Sequence, residues 1–135
     1  MSRVSFLVAA AVFVSTLVYA QHTHAAAPKT IEAYFISGDI LEITFPKPIK
    51  NIRNAAEKRR YILTSLWTGD SPKREVLNIA KIVQIDPETI ELHLVKKVLS
   101  CTGFQYKLKM NGIQLRNARP VRGTMKVPEA CFDTF

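Results

Sequence analysis

From Thr30 onward the chain alternates between apolar and polar residues. In DILEITF, Leu41, Ile43 and Phe45 alternate with Glu42 and Thr44. In TIELHL, Ile90, Leu92 and Leu94 alternate with Glu91 and His93, and in YKLKM, Tyr106, Leu108 and Met110 alternate with Lys107 and Lys109. Successive side chains of a strand point to opposite faces, so this pattern predicts antiparallel strands with one buried face and one wet face. Less regular runs at 30–36, 60–67, 76–85 and 120–127 extend it. Turn signals separate the runs: Ser37-Gly38-Asp39, Thr68 to Lys73 with Gly69 and Pro72, Asp86-Pro87, and Asn111-Gly112. The one helical candidate, NIRNAAEKRR, has a narrow apolar face and predicts a turn or two within a long connection. About seven short strands in this span predict an all-β fold, an antiparallel β-sandwich over residues 30–135.

The last two strands can be aligned from the pattern alone. Tyr106, Leu108 and Met110 must share a face with Val121, Gly123, Met125 and Val127, so the numbers of paired residues must sum to an odd value. A sum near 233 pairs Leu108 with Met125 and Met110 with Gly123, with the turn around Arg116 and Asn117. The same register sets Cys101 opposite residue 132, one position from Cys131.

The start of the chain has a different character. MSRVSFLVAAAVFVSTLVYA carries one basic residue, Arg3, and then an uncharged run from Val4 to Ala20. It predicts a signal peptide over residues 1–20, with cleavage after Ala20 or, as an alternative, within AAAP. A retained membrane anchor is the competing expectation, because the run has the shortest length that spans a bilayer. The polar, Ala-rich segment 21–29 predicts a disordered lead-in. No later segment approaches membrane-spanning length, so no stable membrane span remains after cleavage. Export also governs the cysteines. Cys101 and Cys131 are the only two, and outside the reducing cytosol such a pair is expected to be a disulfide. Closing a loop of about thirty residues contributes roughly 3–4 kcal/mol in the chain-entropy model.

Charge narrows the range of partners. The chain has 19 basic and 11 acidic residues, a formal net charge of +8. Losing Arg3 with the signal takes this from +8 to +7. From Leu92 to Pro128 there are eight cations and no acid: Lys96, Lys97, Lys107, Lys109, Arg116, Arg119, Arg122 and Lys126. Segment 47–60 adds Lys47, Lys50, Arg53, Lys58, Arg59 and Arg60 against Glu57 alone. This asymmetry favours an anionic partner. Lys107, Lys109, Arg122 and Lys126 fall on one outward face in the register above, with Arg116 and Arg119 at the connecting loop, and these six are the candidate anion-binding residues. The competing explanation is a solvated surface that keeps an exported protein soluble.

DILEITFPKPI, RYILTS, PETIELHL and GFQYKLKMNGIQ together resemble the bacterial immunoglobulin-like domains of S-layer and other surface proteins, which are similar to fibronectin type III modules. The resemblance rests on Phe45, Pro48, Tyr61, Leu63, Thr89, Ile90, Leu92, Gly103, Tyr106 and Ile113, and covers roughly residues 30–127. It implies an immunoglobulin-like sandwich used for binding, spacing or adhesion, with Tyr106 in the place of a tyrosine-corner residue. Two features depart from that family: its members usually occur as repeats, and they tend to lack cysteine.

No catalytic constellation can be assembled, so a non-enzyme is expected. Asp39, Asp70, Asp86, Glu88 and Asp133 fall mostly in turns or the tail, where Asp supports turns. His93 is expected to point outward beside Glu91. There is no nucleophile elbow and no Gly-rich phosphate loop, and two cysteines cannot complete a structural zinc site. No cofactor or metal is assigned. The first functional expectation is a secreted or periplasmic binding module for an anionic polymer: lipopolysaccharide, teichoic acid, acidic glycan or DNA. Nucleic acid would call for exposed stacking aromatics, and Trp67 is the one candidate. The alternative is a module for an envelope protein, an inhibitor or assembly component, that contacts it through loop 47–60. A third is a periplasmic copper carrier using His22 and His24, although residues 111–131 hold no histidine to complete the site.

Overall fold

The computed structural model describes residues 30–98, 103–129 and 131. The expected signal segment 1–20, the lead-in 21–29 with His22 and His24, and Cys101 lie outside the described residues. Within them the chain forms β1 (Glu32–Ser37), β2 (Ile40–Thr44), β3 (Tyr61–Trp67), β4 (Lys73–Leu77), β5 (Ile79–Asp86), β6 (Thr89–Leu94), β7 (Phe104–Ile113) and β8 (Val121–Val127). A single helical turn, α1 (Ile52–Ala55), and a 3-10 turn at Lys58–Arg60 are the only helical pieces among the described residues.

The strands form two antiparallel sheets, ordered β1-β2-β6-β5 and β4-β3-β7-β8. Read in chain order, this is the immunoglobulin arrangement of four strands facing three, with β4 added at the edge of the second sheet. The eighth strand comes from the run 76–85. That run divides at Asn78, where β4 stays beside β3 and β5 crosses to pair with β6. Both halves are edge strands with poorly buried faces, so neither shows clean alternation. β4 carries charge along most of its length, which discourages pairing with another chain.

The alternating residues meet between the sheets. Leu41 and Ile43 of β2, Ile90 and Leu92 of β6, Leu63 of β3 and Leu108 of β7 are fully buried. Burial of each such side chain stabilises by roughly 1.5–3 kcal/mol. The rings of Phe35 and Tyr106 join the sheets edge to face, with centroids 5.0 Å apart. A corner-type hydrogen bond is made by Tyr61, at the start of β3: its hydroxyl donates to the carbonyl of Ala55 at 2.6 Å. Burial pushes that phenol well above the usual tyrosine range.

The hairpin of β7 and β8 follows the expected register. Leu108 pairs with Met125, Met110 with Gly123, and Tyr106 with Val127. The expected turn at Asn111-Gly112 is not a turn. β7 runs through it to Ile113, and the pairing shifts by one residue between Asn111 and Ile113. Gly112 adopts φ +81°, the left-handed conformation that a one-residue bulge asks of glycine. The bulge changes which parity faces inward. Even-numbered residues are buried up to Met110, and then Ile113 and Leu115 are buried instead.

Backbone groups freed by the bulge are taken up by the connection between β2 and β3. Asn54 is buried; its amide nitrogen donates to the Gly112 carbonyl at 3.1 Å, and its amide oxygen accepts from the Gln114 N–H at 2.9 Å. Arg60 Nη1 donates to the carbonyls of Asn111 and Gly112 at 3.2 and 3.3 Å.

No cysteine among the described residues is free, and we propose that Cys131 pairs with Cys101. Peptide mapping of protein prepared without reductant should recover one cross-linked peptide containing both residues. Reduction should then lower unfolding stability by roughly 3–4 kcal/mol. Two separately alkylated cysteines in that map would rule the pairing out.

Candidate functional site

The outward positions of the β4-β3-β7-β8 sheet follow from its register. They are Arg74 and Val76 on β4, Ile62, Thr64 and Leu66 on β3, Gln105, Lys107, Lys109 and Asn111 on β7, and Arg122, Thr124 and Lys126 on β8. Arg74, Lys107, Lys109, Arg122 and Lys126 are exposed, and none of these outward strand positions is acidic; among the described residues the one carboxylate beside them is Glu129, just beyond the end of β8. Lys107 lies directly opposite Lys126, and Lys109 opposite Thr124. Cβ atoms of directly opposed residues stand about 5 Å apart, so the two lysines form a like-charge pair with an unfavourable interaction. No ion pair relieves any of these cations among the described residues. Two aliphatic side chains, Ile62 and Val76, stand exposed among them.

The other sheet presents a different outer face. Glu32 and Tyr34 of β1, Glu42 of β2 and Glu91 and His93 of β6 point outward, with Lys81 of β5. The Tyr34 hydroxyl donates to Glu42 at 2.9 Å, and this bond to a carboxylate raises its pKa. His93 Nε2 stands 3.0 Å from Glu91, the outward pairing expected from the sequence. The sandwich is therefore polarised, with carboxylates on one broad face and cations on the other.

Arg116 and Arg119 are exposed in the turn between β7 and β8, where Asn117 takes φ 53°. This turn is tied to segment 47–60. Ile49 and Leu115 form an isolated antiparallel bridge, the Lys50 N–H donates to the Gln114 carbonyl at 2.9 Å, and the Arg116 N–H donates to the Pro48 carbonyl at 2.8 Å. The two basic segments, far apart in sequence, thus meet at one end of the sandwich. Lys47, Lys50, Arg53, Lys58 and Arg59 are exposed there. Arg59 and Arg60 share Glu57, at 2.6 and 3.3 Å. The hydrogen bond from Arg59 in particular holds the Glu57 carboxyl below its usual range.

The sequence-predicted residues therefore divide into two contiguous groups. Lys107, Lys109, Arg122 and Lys126 occupy the sheet face, and Arg116 and Arg119 occupy the loop end. From Lys107 to Ile113 the strand advances about 20 Å at roughly 3.4 Å per residue, so the cations form a stripe along the hairpin rather than a point site. Arg74 was not singled out from the sequence. Its signal was the charged run Lys73-Arg74-Glu75, which reads as an edge strand once Asn78 is taken as the crossing point. Among the described residues no group of three or more His, Cys, Asp or Glu side chains could hold a metal ion. No helix among them is long and apolar enough to cross a membrane.

No protein-family model matches the chain, and no curated protein does. Solved structures do share its fold. The N-terminal part of the bacterial S-layer protein SbsC superposes with a TM-score of 0.59 at 16% identity over 83% of this chain. The S-layer protein rSbsC(31-844) gives a TM-score of 0.59 at 18% identity, also over 83%. The chain spans 26% and 15% of those two structures. At such identities the likeness is one of fold.

The opposed lysines yield a stability test. Lys107→Glu replaces a like-charge cross-strand pair with an attractive one, so it should raise unfolding stability by about 0.5–1 kcal/mol. A urea midpoint that is unchanged or lower would show that repulsion across the hairpin is negligible.

Proposed function

We propose that this protein is an exported, non-catalytic module that holds an anionic polymer of a cell envelope or surface on its basic stripe. The observation that carries this is the Ile49–Leu115 bridge, which brings segment 47–60 beside the β7–β8 turn and extends the cations of the hairpin face into one surface. A merely soluble surface needs charge of either sign, scattered. Here like charges are opposed across a strand pair at a cost in stability, while the carboxylates lie on the other face. Ligand binding is the compensating gain. The shared fold with S-layer protein segments supports a place at a cell surface, and the export signal expected over residues 1–20 would deliver the chain there.

A polymer held in this way should be released by salt, because exposed charges are screened beyond about 10 Å at 0.1 M ionic strength. The triple reversal Lys107→Glu, Lys109→Glu, Arg122→Glu tests the proposal on an anionic polysaccharide column. At about 1 kcal/mol per cation near an anionic surface, the variant should bind at least about a hundredfold more weakly and elute at lower salt. Circular dichroism should show the same β content, and Lys81→Glu on the opposite face should elute unchanged. Equal retention of the triple variant would refute the proposal. Equal retention of the triple variant together with loss on reversing Lys47, Lys50 and Arg53 would move the contact to the loop, the position expected of an envelope-protein partner.

A further inference from the structure

The stripe ends in a cleft. At the open end of the hairpin, where β8 ceases to pair with β7, a shallow cleft of about 230 Å³ is lined by Phe104, Gln105, Tyr106, Lys107, Lys126 and Glu129. Its composition differs from the rest of the stripe. The half-buried ring of Phe104 gives it an aromatic wall, backed by the buried Tyr106 ring stacked on it at 6.3 Å. Lys107 and Lys126 are the opposed cations of the sheet face, so the cleft continues directly from the stripe. Gln105 adds an exposed amide.

Glu129 brings a carboxylate beside the two lysines. Its Oε1 accepts the Gly103 N–H at 2.6 Å, which holds the group in place. Burial, and secondarily the negative charge of Glu129, raise the Tyr106 pKa.

A carboxylate in a cationic cleft discriminates between polyanions. A chain that offers only acceptor oxygens, such as a polyphosphate, meets repulsion from Glu129 and gives Gln105 an acceptor but no donor. A sugar acid offers both kinds of group. Its carboxylate pairs with Lys107 and Lys126, its hydroxyls donate to Glu129 and Gln105, and its C–H face lies against the Phe104 ring. The volume suits one sugar ring.

We infer that the polymer is an acidic glycan, with one uronic-acid-type residue seated in the cleft and the following residues laid along β7 and β8 towards Arg122 and Arg116. This rests on the proposed polyanion-binding role and specifies its ligand. Trp67 provides a reporter. It is the single tryptophan of the chain, and its ring lies 5.2 Å from that of Phe104.

The test compares an oligogalacturonide with an inorganic polyphosphate of equal charge, on the whole exported protein at one salt concentration. The oligogalacturonide should bind about fivefold more tightly, the equivalent of one net hydrogen bond, and should shift Trp67 emission, whereas polyphosphate should not. Gln105→Ala should weaken oligogalacturonide binding more than polyphosphate binding and so narrow that preference, while Glu129→Gln should strengthen polyphosphate binding. Equal affinities with no response to Gln105→Ala would overturn the cleft inference and leave the polyanion-binding role intact, as would tighter binding of polyphosphate. Binding of neither probe would overturn both.

Discussion

The pairing register of β7 and β8 is the constraint on which the rest depends. Each strand alternates apolar and cationic residues, so a slip of one residue would turn one strand's cations into the sandwich or its core residues into water. Leu108 is fully buried opposite Met125, while Lys107 is exposed opposite Lys126. One register thus sets both the filling of the core and the concentration of charge on a single face. Core burial stabilises far more than the lysine repulsion destabilises, and this is why a like-charge pair can persist there.

The bulge at Gly112 gives that register a fixed end. By adding one residue to β7 it turns Ile113 and Leu115 inward, and Leu115 then meets Ile49. Asn54 and Arg60 occupy backbone groups beside the bulge. The polar contacts that stabilise an irregularity in the strand therefore also carry segment 47–60 to the end of the hairpin. Core packing, the bulge clamp and the assembly of the basic surface are consequences of one local geometry.

Much of this was legible in the sequence because the strongest alternation lies in strands with one well-buried face. DILEITF, TIELHL and YKLKM identified β2, β6 and β7, and parity limited the β7–β8 register to odd sums, of which one near 233 matches the observed pairing. The division of 76–85 was hidden because β4 and β5 are edge strands whose side chains face water in both layers. The Asn-Gly pair was read as a turn, since the same dipeptide serves a hairpin and a glycine bulge. The change from even to odd apolar positions between Met110 and Ile113 was the available sign that the strand continued. Of the candidate site, the hairpin cations could be grouped from sequence. Their union with segment 47–60 depends on a bridge between residues 66 positions apart, and the cleft at Phe104 depends on where β8 diverges. Neither leaves a periodic trace.

Nuclear Overhauser contacts across the β7–β8 pair test the register most directly in the free protein in solution. The account predicts cross-strand contacts pairing residue 108 with 125 and 110 with 123, and contacts from 113 to 121 beyond the bulge. Contacts pairing 108 with 124 or 126 would contradict it, because the cations would then not share one outer face.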